Sequence, residues 1–477
     1  MKLSRRQLLG AAGAGAVTTL AGCGRIASGI REFTAVQHSR IQKSDEPHVA
    51  FLNRYAYGLS IDDVENVRVQ REDGWFESQL LPTGDEPLPL EMMVRRLDTE
   101  HFSAWELRDL PAGAVLGQLQ SKSLLMAVYS PWQVRERMVE FWTDHFSIYA
   151  QKGLASYRKP LDEKTVIRAH ALGSFPEMLK ASAHSTAMLV FLDQQNSSEA
   201  HPNENYAREL LELHSLGVDG GYSQADVMEV ARCLTGWTEE RGFLKPKGKF
   251  NFEAGLHDQG RKHVLGKTVP AGGKQSDGDF VLDLVATHPA TARHISRKLC
   301  RYFLGSSSSL AEARVTQAFM NSGGDIKSML RAMHEATTGA KLEPQVRRPF
   351  DFVVATLRAT AADTDGSYKL LDYLTRMGHA RYQWPMPDGY PVKDDAWTGS
   401  VVGRWRFVGD LLTNRIDGTH CDLKRLATLR QTSDPVELVT YAAPGTDTHS
   451  TMTALVAGLS ELEKAGLALC APESQWK

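Results

Sequence analysis

The chain has 477 residues, 42% hydrophobic and 23% charged, with 55 Lys and Arg against 57 Asp and Glu. That is ordinary globular composition, with apolar material for a large core over a length that suggests two or three domains. A net charge of -2 excludes a global electrostatic pull toward nucleic acid or an anionic membrane surface.

Residues 1–23 read MKLSRRQLLGAAGAGAVTTLAGC. A charged start (Lys2, Arg5, Arg6) precedes a weakly hydrophobic run rich in Ala and Gly, the order of an export signal rather than of a folded element. Ser4-Arg5-Arg6-Gln7-Leu8-Leu9 has the pattern of a twin-arginine signal, and Leu20-Ala21-Gly22-Cys23 that of a bacterial lipobox. The expectation is a signal peptide over 1–22, lipidation at Cys23 and a polar tether over 24–45. The protein would then be periplasmic, or held on the outer face of the membrane through Cys23. A plain N-terminal anchor, or cleavage without lipidation, is the alternative. Beyond this segment no stretch reaches the ~18 consecutive apolar residues of a membrane span. Cys233, Cys300, Cys421 and Cys470 form no Cys-x-x-Cys and match no zinc or haem spacing, which leaves disulfides and free buried thiols both open.

After the tether, helical periodicity dominates. The reading is a mainly α, multi-helix globular domain over 46–415, a small β-hairpin or ribbon insertion near 240–270, and a C-terminal helical extension over 416–477. In PWQVRERMVEFWTDHFSIY, Val134, Met138, Phe141, Trp142 and His145 recur at spacings of three and four, with Ser130 as N-cap and Pro131 at the start. Glu140 and Asp144 lie i, i+4 on the neighbouring face. His145 sits among apolar residues, so it is either a satisfied core histidine or part of a site. DEKTVIRAHAL and SFPEMLKASAHSTAMLVFL follow as helical segments.

The stretch HPNENYARELLELH, residues 201–214, is the most polar of the helices. Tyr206, Leu210 and Leu213, with Ala207, Leu211 and His214 beside them, make its buried stripe. Glu204, Arg208 and Glu212 stack at i, i+4, i+8, while Asn205, Glu209 and Glu212 form a second row. One reading is a solvated, self-paired ladder worth about 0.3–0.5 kcal/mol per pair, with His214 capping the C-terminal dipole. The other is a site: Glu209 and Glu212 as acid/base groups or metal ligands, Arg208 holding an anionic group, and Asn205 and Glu204 contacting a ligand. A divalent metal is then possible, with His145 and His214 as candidate imidazole ligands. A ferritin-like Glu-x-x-His pair is missing, because Leu211 precedes His214 by three residues and Ser215 follows Glu212 by three.

Next, YSQADVMEVARCLTGW opens with a capping-box pattern, Ser223 and Asp226. RGFLKPKGKFNFEAGLHDQGRKHVLGKTV alternates and carries Gly and Pro breakers, which reads as the β insertion. Within it His257, Asp258 and Lys262 cluster; they suit acid–base work, or Asp258-Gln259-Gly260 is simply the turn. Gly266-Lys267-Thr268 does not complete a P-loop, since position 261 is Arg. VDGGYSQAD lacks the alternating oxygen ligands of an EF-hand, and there is no H-E-x-x-H, G-x-S-x-G or G-x-G-x-x-G. Residues 289–304, 309–320, 324–337 and 350–362 are again helical, and 376–403 form a long loop with three prolines and two tryptophans, a length that often lines sites.

FWTDHFSI, FLDQQNSSEAHPNENYARELLELHSLGVDGGYSQADVMEVARCLTGW, HDQGRKHVLGK, HPATARHISRKLCRYF, RRPFDFVVATLRAT and QWPMPDGYPVKDDAWTG occur in the order expected of one bacterial family. On them the chain resembles the domain of unknown function 1800 family over roughly residues 45–415, most specifically at Asn203-Glu204-Asn205-Tyr206-Ala207-Arg208-Glu209-Leu210. The resemblance implies a secreted or envelope-associated helical protein and no defined activity. Trp142, His145, Asn203 to Glu209, His214, Trp237, His257, Asp258, Lys262 and His288-Pro289 stand where the family's motifs have them. Gly389-Tyr390-Pro391 departs from a Gly-Trp-Pro segment.

Two functions fit. The first is an exported enzyme with Glu209, Glu212, Arg208, His257 and Asp258 in the chemistry and Asn205, Glu204, Lys262 and Trp142 on the ligand. It requires Glu209, His145 and His257 to converge. The second is a non-catalytic, lipid-tethered binding or assembly protein whose partner is a small molecule or an envelope protein and whose polar helix is a structural ion-pair element.

Overall fold

The structure, a computed structural model, describes residues 46–240, 248–305, 308–340, 343–439, 456 and 458–477. The expected signal peptide, Cys23 and the whole tether lie outside the described residues.

Several helices start where a polar side chain caps an apolar-periodic run, as at Ser60, Asn203, Ser223, Asp325 and Asp422. The first half contains α1 (Glu46–Tyr55), α2 (Ile61–Leu80), α3 (Leu88–Val94), α4 (Ala112–Tyr129), α5 (Gln133–His145), α6 (Ala155–Asp162), α7 (Phe175–Ala183), α8 (Thr186–Phe191), α9 (Glu204–Glu212) and α10 (Gln224–Cys233). Then come α11 (Ser276–Ala286), α12 (Pro289–Leu304), α13 (Ser309–Ser322), α14 (Ile326–Thr337), α15 (Pro349–Ala359), α16 (Tyr368–Arg376), α17 (Val401–Leu412), α18 (Leu423–Arg430), α19 (Pro435–Val439) and α20 (Glu461–Cys470). The reciprocal capping box at Ser223 and Asp226 forms as the spacing predicts. The start of α5 differs: Ser130 closes α4 and its Oγ accepts from the Trp132 N–H, so α5 begins after Trp132.

The β insertion consists of two antiparallel ribbons. β1 (Trp237–Glu239) pairs with β2 (Phe250–Phe252), and β3 (Lys262–Val264) with β4 (Lys267–Val269). A third small pair, β5 (Asp363–Thr364) with β6 (Thr419–His420), ties the segment after α15 to that after α17.

Apolar side chains form two large clusters. One gathers α1, α2, α5 and α7 to α14; the other gathers α4 and α15 to α20. The described apolar residues after 415 pack within the second. There Lys477 exchanges backbone hydrogen bonds with Gln345, and its Nζ donates to Asp351 at 2.7 Å.

α5 lies between the clusters and is buried on almost every side, although it carries Arg137, Glu140 and Asp144. Charges so placed must be paired. Arg137 meets Asp351 at 2.5 Å, and Arg348 bridges Glu140 (2.5 Å) and Asp144 (2.6 Å). The Glu140 carboxylate also accepts from the hydroxyls of Tyr57 and Tyr302, both at 2.7 Å. Although burial raises it, the surrounding Arg348, Arg137 and Arg381 hold Glu140 down at about 2.

Cys233, Cys300, Cys421 and Cys470 are free thiols. Burial pushes the first three up to about 12.

Candidate functional site

α9 is anchored from its N-terminus. Asn203 Oδ1 accepts from the Tyr206 N–H at 3.1 Å, its Nδ2 donates to the Leu192 carbonyl at 2.8 Å, and Ser197 Oγ accepts from the Asn203 N–H at 3.0 Å. Tyr206, Ala207, Leu210 and Leu211 then fill the first core, as the apolar stripe requires. Asn203 is therefore spent on holding the helix.

The self-paired ladder does not form. Arg208 donates to the Gln224 amide oxygen (2.7 Å), and the Gln224 amide nitrogen donates to Glu204 (2.8 Å). The start of α10 lies alongside α9, and one neutral side chain satisfies both charged ones. Spacing i, i+4 permits a pair without compelling it when a neighbouring helix offers a better partner.

Glu209 is half-buried. Its carboxyl is raised first by loss of solvent and then by the like charges of Glu212 and Asp388, with Arg208 opposing. Asp388 comes from the long loop. That loop lies against the end of α5: Gly389, at φ +79, sits where a Cβ would stand 2.0 Å from the Asp144 carbonyl oxygen. Ser147 Oγ donates to the Met386 carbonyl at 3.2 Å, and the Ala150 N–H to the Tyr382 carbonyl at 2.9 Å. The same placement brings Asp144 and Asp388 to act on Lys298 of α12, whose ammonium desolvation lowers to about 8.

Behind α9 three histidines meet. His145 Nε2 donates to the His214 carbonyl and His294 Nε2 to the Leu213 carbonyl, both at 3.2 Å. Thus the two carbonyls just past the end of α9 accept from imidazoles of α5 and α12. His145 stands 6.2 Å from His214 and 6.4 Å from His294 between ring centroids. Burial, reinforced by Lys298, lowers His214 to about 3 and His294 to about 4, and holds His145 well below its usual range. All three are neutral bases at pH 7. His145 Nδ1 and His214 Nε2 are buried without a hydrogen-bond partner.

These residues do not fit a metal. Among the described residues no three or more His, Cys, Asp or Glu converge as a ligand set, and His145 Nε2 is committed to a carbonyl. The reading of His145 and His214, or of Glu209 and Glu212, as metal ligands therefore finds no third ligand beside either pair among the described residues.

The N-terminal end of α9 opens on a cleft of about 290 Å³ lined by Asp193, Asn196, Ser197, His201, Asn203 and Asn205, with Leu192 at its floor. Asp193 adopts a left-handed φ of 58 and pairs with Lys152 at 2.7 Å. Asn205 lies one turn ahead of Glu209 on the same row, so cleft and carboxyl share one helix face.

The expected convergence is partial. Lys298 acts on His145 and is acted on by Asp388, which in turn acts on Glu209, but His257, Asp258 and Lys262 stand elsewhere. Lys262 Nζ donates to Asp277 at 2.8 Å, His257 Nε2 faces Asp277 at 3.3 Å and Nδ1 faces the Thr235 carbonyl at 2.8 Å, while Arg232 binds Asp258 at 2.7 Å. This buried network closes β3 onto α10 and α11. Trp142 is also apart: it is a core residue whose Nε1 donates to the Ala171 carbonyl at 3.2 Å.

A family model described as "Protein of unknown function (DUF1800)" matches residues 50–476, nearly the whole chain. The chain belongs to the DUF1800 family. No curated protein and no solved structure matches it. In this DUF1800 chain the sequence reading missed Asp388, His294 and Lys298 as neighbours of α9. The signal was present in HPATARHISRKLCRYF, where His294 and Lys298 stand i, i+4 on a helix otherwise rich in core residues.

Proposed function

We propose that the protein is an exported, lipid-tethered envelope enzyme doing general acid–base chemistry on the polar face of α9. The observation that carries this reading is Glu209, a half-buried carboxyl raised by desolvation and by two neighbouring carboxylates, one turn from an open cleft. A carboxyl whose proton affinity its surroundings raise is suited to general acid–base work near neutral pH. Glu209 is the acid–base carboxyl, with Glu212 and Asp388 beside it as the carboxylates that raise its proton affinity, and Arg208 limits the build-up of negative charge. Asn196, His201 and Asn205 line the cleft and make no side-chain hydrogen bond among the described residues; amides and an imidazole suit an uncharged substrate bearing hydroxyl or amide groups. The N-terminal Arg-Arg and Leu-Ala-Gly-Cys patterns support export and a lipid on Cys23, and acyl-chain labelling that survives Cys23→Ser would contradict that part.

The catalytic part is tested with a panel of 4-nitrophenyl glycosides and esters. Turnover is expected to fall at least a hundredfold in a folded Glu209→Gln protein, within the range of general acid catalysis. Turnover unchanged in that variant would overturn the assignment.

A second reading, a binding or assembly protein, draws on the exposed Val402, Trp405, Leu462 and Leu467 of the packed helices α17 and α20. Under that reading, substitutions there abolish function in the cell while Glu209→Gln does not.

A further inference from the structure

The long loop acts on Glu209 through Asp388, and Trp384 holds that residue in place. The Trp384 indole is half-buried and packs on the ring of Tyr390, 5.1 Å between centroids. Tyr390 is itself fixed: its hydroxyl donates to the Ala380 carbonyl at 2.6 Å, and its ring lies against His379 at 4.5 Å. His379 in turn accepts from α15, whose Phe350 N–H donates to Nδ1 at 3.1 Å. The indole is thereby tied to the body of the protein, and its Nε1–H donates to Asp388 Oδ1 at 2.9 Å.

Without that bond Asp388 has reason to turn away. It is exposed, and it acts on a like charge, Glu209, and on an opposite one, Lys298. Lys298 forms no ion pair or hydrogen bond among the described residues. Asp144, the other carboxylate acting on it, is spent on Arg348 at 2.6 Å. Repulsion from Glu209 and attraction to Lys298 both favour a rotamer of Asp388 turned toward the ammonium. On an exposed side chain such rotamers exchange on a nanosecond timescale, so electrostatics alone would select it. A hydrogen bond to an ionised acceptor is stronger than one between neutral groups, and the indole supplies it on the side facing away from that turn.

We propose that Trp384 is a positioning residue: through its hydrogen bond it keeps the Asp388 carboxylate beside Glu209 and away from Lys298. Its part in turnover rests on the acid–base reading of Glu209; its effect on the two neighbouring groups does not. Around Glu209 stand Glu212 and Asp388, with Arg208 opposing and Tyr222 beside Glu212. Around Lys298 stand Asp144 and Asp388 and the neutral rings of His145, His214 and His294. Asp388 is the one carboxylate common to both sets, so moving it changes the two groups in opposite directions.

Trp384→Phe keeps a ring on Tyr390 and removes the donor. Carbon-13 at the glutamate carboxyl and lysine Cε positions of the full chain reports both groups by NMR titration, with signals assigned by their loss in Glu209→Gln and Lys298→Arg. In Trp384→Phe the Glu209 midpoint is expected to fall and the Lys298 midpoint to rise, each by about 0.3 of a pH unit or more. Asp388→Asn removes the charge instead of moving it, so both midpoints are expected to fall. That exposed change leaves the cores alone, and its arm reads even where Trp384→Phe is unstable. Loosening of the loop would hydrate both groups with or without the Asp388 charge; the double variant separates the two causes, and in it Trp384→Phe is expected to add nothing to Asp388→Asn. Midpoints unmoved in Trp384→Phe, a shift of both in one direction there, a shift that persists in the double variant, or no response to Asp388→Asn would each overturn the proposal. None of these readouts uses turnover, so the proposal fails separately from the catalytic reading.

Discussion

Lowering the pH from 7 to 5 perturbs the histidine cluster behind α9, and His294 gives the clearest magnitude. Its imidazole titrates near 6.5 in the unfolded chain and at about 4 in the fold, where burial and the nearby Lys298 oppose the charge. Above 6.5 the ring is neutral in both states and contributes nothing. As the pH falls from 6.5 toward 4 the unfolded chain takes the proton first, so stability is lost across that window and the loss levels off below it. At pH 5 the difference amounts to about 2 kcal/mol for this one ring. Asp365 works the other way: burial raises its carboxyl to about 6, so it adds stability as the pH drops from 6 to the ordinary carboxyl range. The total pH dependence therefore mixes signs, and the comparison must be between proteins. His294→Gln keeps an N–H for the Leu213 carbonyl and removes the titration. Urea unfolding at pH 7 and pH 5 should show the variant losing about 2 kcal/mol less than the parent between the two. Equal losses would mean that the ring titrates normally in the fold, and the argument from its burial would fail.

Breaking the charge network around α5 should be costly. Glu140→Gln leaves Arg348 and Arg381 short of a counter-charge in a closed site, and a loss of about 3–5 kcal/mol is expected from the urea midpoint. Gly389→Ala adds a Cβ 2.0 Å from the Asp144 carbonyl oxygen at a positive φ, so the loop must lift from α5. Faster proteolysis near Met386 and a lower proton affinity of Glu209, through withdrawal of Asp388, are the expected readouts.

The helical class was legible because its determinants are local: a cap such as Ser223 with Asp226, and apolar residues at spacings of three and four. The ribbon near 240–270 was legible from its breakers, although its division into two separate strand pairs was not. Partners were read less well than elements. Spacing placed Glu204, Arg208 and Glu212 on one row, yet Gln224, sixteen residues beyond Arg208, took the contacts. Likewise nothing local tells that Asp388 reaches Glu209, because that approach depends on Gly389 meeting the end of α5 across some 240 residues of chain. His257, Asp258 and Lys262 looked like chemistry because buried ion pairs use the same side chains as active sites; only their enclosure around Asp277 separates the two.

The central claim is that Glu209 is a carboxyl whose proton affinity its surroundings raise. Carbon-13 NMR of protein labelled at the glutamate carboxyl carbon, with the Glu209 signal assigned by its loss in Glu209→Gln, measures this directly. The expected titration midpoint lies above those of the exposed glutamates and falls toward them in Glu212→Gln and in Asp388→Asn. A Glu209 signal that titrates with the exposed glutamates, unmoved by either substitution, would contradict it.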